Sequence, residues 1–301
     1  MNTLEKKLSK AEETALEFIT SKLADTKILP WAKPWTTNGN LPFNYFTNNT
    51  FSGLNLFICM FFNHSEFGTF KAISNAGGTV KKGSKSIPLL RPATSFFLDG
   101  KKLTYKQFKA LPINKQKECK SFTYFVTYRV FNLETQTEGI EIKREKAKEF
   151  TPQLREDCDK LITVFSQDCP VNIIESNKAF YSPSSDQITL PLHKQFEKTE
   201  MFYSTAFHEM VHSTGHAKRL KRDGVVNMDR KGSQKYAKEE LVAEIGASIL
   251  NATYGTFDNT KHLNVAYVQN WLDALKNDPK MIIEASKDSK KAVDYILKSA
   301  I

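Results

Sequence analysis

The segment FHEMVHSTGH, Phe207 to His216, constrains this chain more than any other. His208 and His212 stand four apart, with Glu209 beside the first. Two imidazoles can serve one metal ion only if the backbone brings them to one side. A helix does this, because residues four apart share a face, roughly 6 Å apart along the axis. Met201, Phe202, Ala206, Phe207, Met210 and Val211 supply apolar positions that pack such a helix into a core. The spacing therefore predicts a buried helix over residues 199–214, with Gly215 as its stop. In this HExxH pattern the histidines hold zinc and the glutamate reaches a water at the metal.

A catalytic zinc needs a third protein ligand and an open position. The stretch YAKEELVAEIGASIL, Tyr236 to Leu250, has a strong helical pattern and places Glu240 and Glu244 on one face. Acids turned toward a core need a cation or hydrogen-bond donors. Glu240 is assigned as third ligand and Glu244 as the acceptor that fixes a ligand histidine's tautomer; the reverse assignment is the alternative. Mn or Co can occupy a site of this kind in place of Zn. His216 lies four beyond His212, but a helix ending at Gly215 gives it a supporting role. The pattern with a third histidine at position 218 does not apply, because that residue is Lys218. Tyr181 is the candidate oxyanion donor. The strand over Gln187 to Leu190 is expected beside the cleft, where it could pair with an extended peptide.

The net charge of +10 is unevenly spread. Residues 1–150 hold 23 Lys and Arg against 13 Asp and Glu, so the first half carries the whole excess; residues 151–301 hold 20 of each. The first half also has 22 of the 35 aromatic residues. Two halves so different imply two modules with different partners. The sequence shows no apolar run long enough to span a membrane and no secretory leader at its start. Cys59, Cys119, Cys158 and Cys169 form no CxxC pair, so free thiols and a cytoplasmic setting are expected.

The pattern of elements is α+β with two domains, residues 1–148 and 149–301, divided at the charged segment that ends in Thr151-Pro152. Helical periods occupy residues 3–24, 152–165, 199–214, 235–251, 262–276 and 279–298. Residues 70–133 read mainly as strand, with a basic turn and short strand over 75–86 and an insert with a short helix over 99–112. Val171 to Glu175 and Phe180 to Pro191 read as strands. Phe57, Phe61 and Phe125 are expected in the core.

A basic groove with aromatic faces is what single-stranded nucleic acid needs. Candidate contacts are Trp31, Lys33, Trp35, Tyr45, Phe46, Phe51, Asn55, Lys71, Lys81, Lys82, Lys85 and Arg91, many of them in turn-rich sequence.

PWAKPW (Pro30–Trp35), FSGLN (Phe51–Asn55), GGTVKKGSKS (Gly77–Ser86), VFNLETQTEG (Val130–Gly139), FYSPSSDQITLP, FHEMVHSTGHAKRL and YAKEELVAEIGASIL together make the chain resemble ArdC-type antirestriction proteins of mobile elements. Their N-terminal module is shared with TraC-type conjugative primases. The resemblance implies an N-terminal single-stranded-DNA-binding domain and a C-terminal zincin-like metallopeptidase domain, similar to Spartan-type proteases. It implies His208, His212 and Glu240 as metal residues, Glu209 as the general base, and protection of incoming DNA during conjugation. The FSG at Phe51 departs from the family's usual polar pattern. Two other readings stay open: protection by coating DNA alone with a structural metal, and an accessory role in conjugation or replication. The peptide or protein substrate is not named by any residue.

Overall fold

The computed structural model describes residues 8–25, 41–62, 64–143, 152–227, 233–256, 278 and 280–299. The expected helix over 262–276, and Trp31, Lys33 and Trp35, lie outside these residues.

The N-terminal domain is built on a long antiparallel ribbon, β5 (Ile87–Leu98) against β7 (Lys120–Asn132), in register from Ile87↔Val130 to Phe97↔Lys120. Shorter strands complete a six-stranded sheet of order β2-β1-β3-β7-β5-β6. They are β1 (Phe43–Asn44), β2 (Asn49–Thr50), β3 (Glu66–Gly68) and β6 (Lys101–Leu103). β4 (Thr79–Val80) pairs separately with β8 (Thr137–Glu138). The helices of this half are α1 (Lys10–Asp25), α2 (Gly53–Cys59), α3 (Phe70–Asn75), α4 (Tyr105–Ala110), α5 (Ile113–Glu118) and α6 (Leu133–Gln136).

The base of the ribbon is core and its tip is not. Ile87, Leu89 and Val130 are fully buried, with Ala15 and Ile19 of α1 and Phe57 and Ile58 of α2 in the same cluster. The outer edge of β5 is closed chemically. Leu90 turns its N–H and C=O away from β7, and the Asn55 side-chain amide bonds both, each at 2.7 Å. Backbone groups alternate along an antiparallel strand, so Pro88 and Pro92 also face outward, where each leaves a carbonyl but no N–H donor for another strand.

The insert over 99–112 carries its expected short helix, α4, begun by a capping box between Thr104 and Gln107; α5 follows it. Two expectations need correction. Residues 70–75 form a helix, nucleated by Thr69, whose hydroxyl accepts from the Ala72 N–H. Phe125 is 37% exposed rather than core, with the Lys287 ammonium 5.9 Å from its ring centroid.

The C-terminal domain contains α7 (Pro152–Phe165), a three-stranded sheet, and the helices α8 (Thr199–Ser213), α9 (Asp223–Val226), α10 (Gln234–Tyr254) and α11 (Lys280–Ser299). The sheet has the order β10-β11-β9, from Phe180–Ser182, Gln187–Pro191 and Val171–Ile174. One apolar cluster runs through both domains and includes Phe57, Phe207, Leu241 and Ile282. Among the described residues no helix is long and apolar enough to cross a membrane.

Candidate metal centre

The helix carrying HExxH ends at Ser213, before Gly215. Gly215 does not act through a left-handed backbone; it has no positive φ. A Cβ there would lie 2.9 Å from an Arg222 guanidinium nitrogen, so the missing side chain makes room for that arginine. Gly246 on α10 has a comparable role, since a Cβ there would come 2.8 Å from Val211 Cγ2. Glycine lets α8 and α10 approach closely and brings the acidic turns of α10 against both histidines.

His208 Nε2 and His212 Nε2 lie 3.1 Å apart. Glu240 Oε2 stands 3.7 Å from the first and Glu240 Oε1 3.6 Å from the second. Taken one per residue, the three ligand atoms lie within 4.8 Å of one another; ligand atoms of a tetrahedral zinc stand roughly 3.3–3.6 Å apart, so the group needs only a small contraction to hold one ion. The outer nitrogens are occupied differently. His212 Nδ1 meets Glu239 at 3.2 Å, and His208 Nδ1 lies 3.6 Å from Glu244. Carboxylates placed there favour a proton on each Nδ1, which would leave each Nε2 free to give its lone pair to a metal. The donor set, two Nε2 atoms and a carboxylate, fits a divalent metal.

The surrounding acids reinforce this. Burial pushes the His212 imidazole down, yet the Glu239 hydrogen bond and the charges of Glu240, Glu239 and Glu209 raise its pKa to about 9. The site therefore favours positive charge. Burial lifts the carboxyl of Glu209 above the usual carboxylate range; His212 and the adjacent Tyr181 backbone oppose that lift, while Glu240 and Glu244 add to it. A raised carboxyl pKa suits a group that takes and returns a proton near neutrality.

Glu239 and Arg222 are the residues that sequence reasoning missed. Arg222 donates from Nε to Glu239 Oε2 at 3.0 Å and from a terminal nitrogen to Oε1 at 2.6 Å. It also donates to Thr214 Oγ1 and the Val211 carbonyl, both at 2.7 Å. Burial works to raise the Glu239 pKa, but the His212 and Arg222 bonds hold it below the ordinary value. The run Glu239-Glu240 carries a faint signal of this, two acids side by side just before the apolar turns of α10.

Two expected roles do not fit. The Tyr181 hydroxyl donates to Asp186 Oδ1 at 2.9 Å and lies 3.4 Å from an Arg219 nitrogen, so it is tied away from the metal residues. Tyr181 reaches Glu209 through its backbone. β11 is flanked by β10 and β9 and has no edge for a peptide; the outer strands are β10 and β9, and β10 is the one whose Tyr181 backbone meets Glu209. His216 joins the Asp186 cluster, with Nδ1 3.4 Å from Oδ2.

The first-half candidates separate as well. Phe51 is buried, edge-on to Phe67 at 5.9 Å, and has no face for a base. Asn55 is committed to Leu90. The Tyr45 hydroxyl accepts from the Lys143 N–H at 3.1 Å and donates to the Glu141 carbonyl at 3.3 Å. Phe46 packs edge-on to Tyr45. Lys71, Lys82, Lys85 and Arg91 are exposed, and Lys81 reaches the Thr135 carbonyl at 3.4 Å.

Residues 9–165 match the family model for the N-terminal domain of the anti-restriction factor ArdC. The chain belongs to the ArdC anti-restriction family. Residues 159–288 of this ArdC-type chain match the zincin-like metallopeptidase model, giving a two-domain layout. A DNA primase TraC of Escherichia coli is 33% identical over 285 residues, 89% of this chain; the chain spans only 18% of that primase's length. The metal-free crystal structure of the antirestriction ArdC protein from the R388 plasmid superposes with TM-score 0.69 at 27% identity, covering 97% of this chain and 98% of that one. The Mn(II)-bound structure of the same protein gives TM-score 0.68 at 24% identity, with the same coverage.

Proposed function

We propose that this ArdC-type chain binds single-stranded DNA through residues 1–148 and carries a zinc-dependent peptidase in residues 149–301. Its role is to protect DNA entering a recipient cell from restriction, in the cytoplasm. The observation that carries the peptidase reading is the convergence of His208 Nε2, His212 Nε2 and Glu240 on one point beside buried Glu209. Held by these three side chains, Zn, or Mn or Co in its place, would polarise a scissile carbonyl and lower the pKa of a water. Glu209 accepts a proton from that water and delivers it to the leaving amine. Glu239 and Glu244 hold the two imidazoles in one tautomer and orientation. β10, the outer strand beside Glu209, offers its edge to an extended peptide. The positive first half and the relation to TraC primases support DNA binding.

The test is Glu209→Gln, with metal content measured alongside cleavage of an unfolded protein substrate in the presence of single-stranded DNA. The expected outcome is full metal occupancy with cleavage reduced at least ~100-fold. Unchanged cleavage removes Glu209 as the base. Antirestriction that survives in this variant would favour DNA coating alone, the reading that the concentration of all +10 net charge in the first half supports.

A further inference from the structure

Most loop residues first considered for DNA are buried, bonded or outside the described structure, yet the ribbon tip offers a surface of the same chemistry. Alternate residues of a strand face opposite sides, and residues paired across strands share a side. The register Lys102↔Phe97↔Lys120 therefore puts both lysines and Phe97 on one face. The pairs Ser95↔Phe122, Ala93↔Tyr124 and Arg91↔Val126 continue that face toward the base. Phe122 and Tyr124 lie 6.1 Å apart and only 16° from parallel, over the buried Ser95. Phe122 is 65% exposed. On the other face Phe108 of α4 stacks on Phe96 at 3.8 Å, while Thr94, Ser121, Thr123 and Phe125 stay exposed but carry no cation.

The charge of this surface is one-sided. β5, β6 and β7 contain Arg91, Lys101, Lys102, Lys120 and Arg129 and no acid. Residues 99–120 carry seven lysines against Asp99 and Glu118, and Glu118 is paired with Lys115. Among the described residues no carboxylate pairs with Lys102 or Lys120. An exposed Phe122 ring nearly parallel to a half-buried Tyr124 ring, flanked by cations without a carboxylate partner among the described residues, matches a strand of stacked bases joined by phosphates. A protein partner complementary to this face would need acids at each cation and apolar groups at each ring, whereas single-stranded DNA presents both along every repeat.

We propose that the open face of the β5–β7 ribbon tip, with Phe97, Phe122 and Tyr124 as stacking rings and Arg91, Lys102 and Lys120 as phosphate contacts, is a single-stranded-DNA-binding surface of this chain. The proposal rests on the reading that the N-terminal domain binds such DNA, and it assigns where the strand lies.

The experiment is fluorescence anisotropy of a labelled single-stranded oligonucleotide with the full chain across a salt series. It compares wild type, Phe122→Ala/Tyr124→Ala, and Lys102→Gln/Lys120→Gln. Ring removal is expected to raise Kd about tenfold per ring. Removing two phosphate contacts is expected to flatten the log Kd against log salt slope by about 1.4. Circular dichroism checks the variants' folding, and ultraviolet crosslinking of wild type to the oligonucleotide, mapped by peptide mass, needs no variant; crosslinks are expected at Phe97, Phe122 or Tyr124. Wild-type binding with unchanged variants and crosslinks elsewhere overturns this placement and leaves the DNA-binding reading intact. No wild-type binding overturns both.

Discussion

Replacing Arg222 with methionine should destabilise the C-terminal domain more than a single hydrogen bond would explain. Arg222 is buried, with 7% of the residue exposed, and both Glu239 oxygens accept hydrogen bonds from its guanidinium. Removing one partner of a buried ion pair leaves the other charge uncompensated and costs about 3–5 kcal/mol. The Thr214 hydroxyl and the Val211 carbonyl lose their donor as well. Against a net stability of about 5–15 kcal/mol this is a large fraction. The assay is urea unfolding followed by far-ultraviolet circular dichroism, to which α8 and α10 contribute with the other helices, with chelator present so that metal binding adds nothing to the folded state. The double variant Arg222→Met/Glu239→Leu should recover most of the loss, because apolar groups replace both charges. It should still bind metal about 10–100-fold more weakly than wild type, because His212 no longer has an acceptor at Nδ1. A cost below about 1 kcal/mol for Arg222→Met, the level of an exposed pair, would refute the reasoning. So would unchanged metal affinity in the double variant.

Glu240→Ala should abolish tight metal binding, whereas Glu244→Ala should weaken it by about 10–100-fold; isothermal titration with Zn or Mn distinguishes them, and the larger loss falling on Glu244→Ala would revive the reverse assignment. Asp186 gives a pH prediction. Burial pushes its pKa up, but hydrogen bonds from Arg219 and Tyr181 and the Arg219 charge hold it below the ordinary value. Its contribution to stability is therefore fully present above the unfolded carboxyl pKa of about 3.9 and fades as pH falls through the lower folded value. Asp186→Asn should flatten the acid limb of the stability-against-pH curve below about pH 4, read by thermal unfolding at stepped pH; an unchanged limb would show that Asp186 has no part in it.

The helix boundaries depended on local information. A period of apolar residues sets α7 at residues 152–165 and α8 at Thr199–Ser213 within a residue of expectation, because the pattern acts turn by turn along one element. The spacing of His208 and His212 was legible for the same reason. What the chain alone could not show is how α10 is rotated against α8. Glu239, Glu240 and Glu244 are neighbours in sequence, yet one bonds His212 Nδ1, one faces both Nε2 atoms and one faces His208 Nδ1. That sorting depends on the close contact of Gly246 with Val211, a pairing of residues 35 positions apart. Arg222 likewise enters from a loop with no periodicity to announce it.

The same division holds in the first half. Composition disclosed a basic, aromatic module, since net charge and ring count survive any folding. It could not tell an exposed ring from a buried one. Phe51 sits in a turn-rich stretch and is core, while Phe125 and Phe122 sit in a β-rich stretch and are exposed. Strand alternation names two faces but not which one the rest of the molecule covers. Only the tertiary packing decided that α4 covers Phe96 on one side of the ribbon tip, while Phe122 stays exposed beside a half-buried Tyr124 on the other.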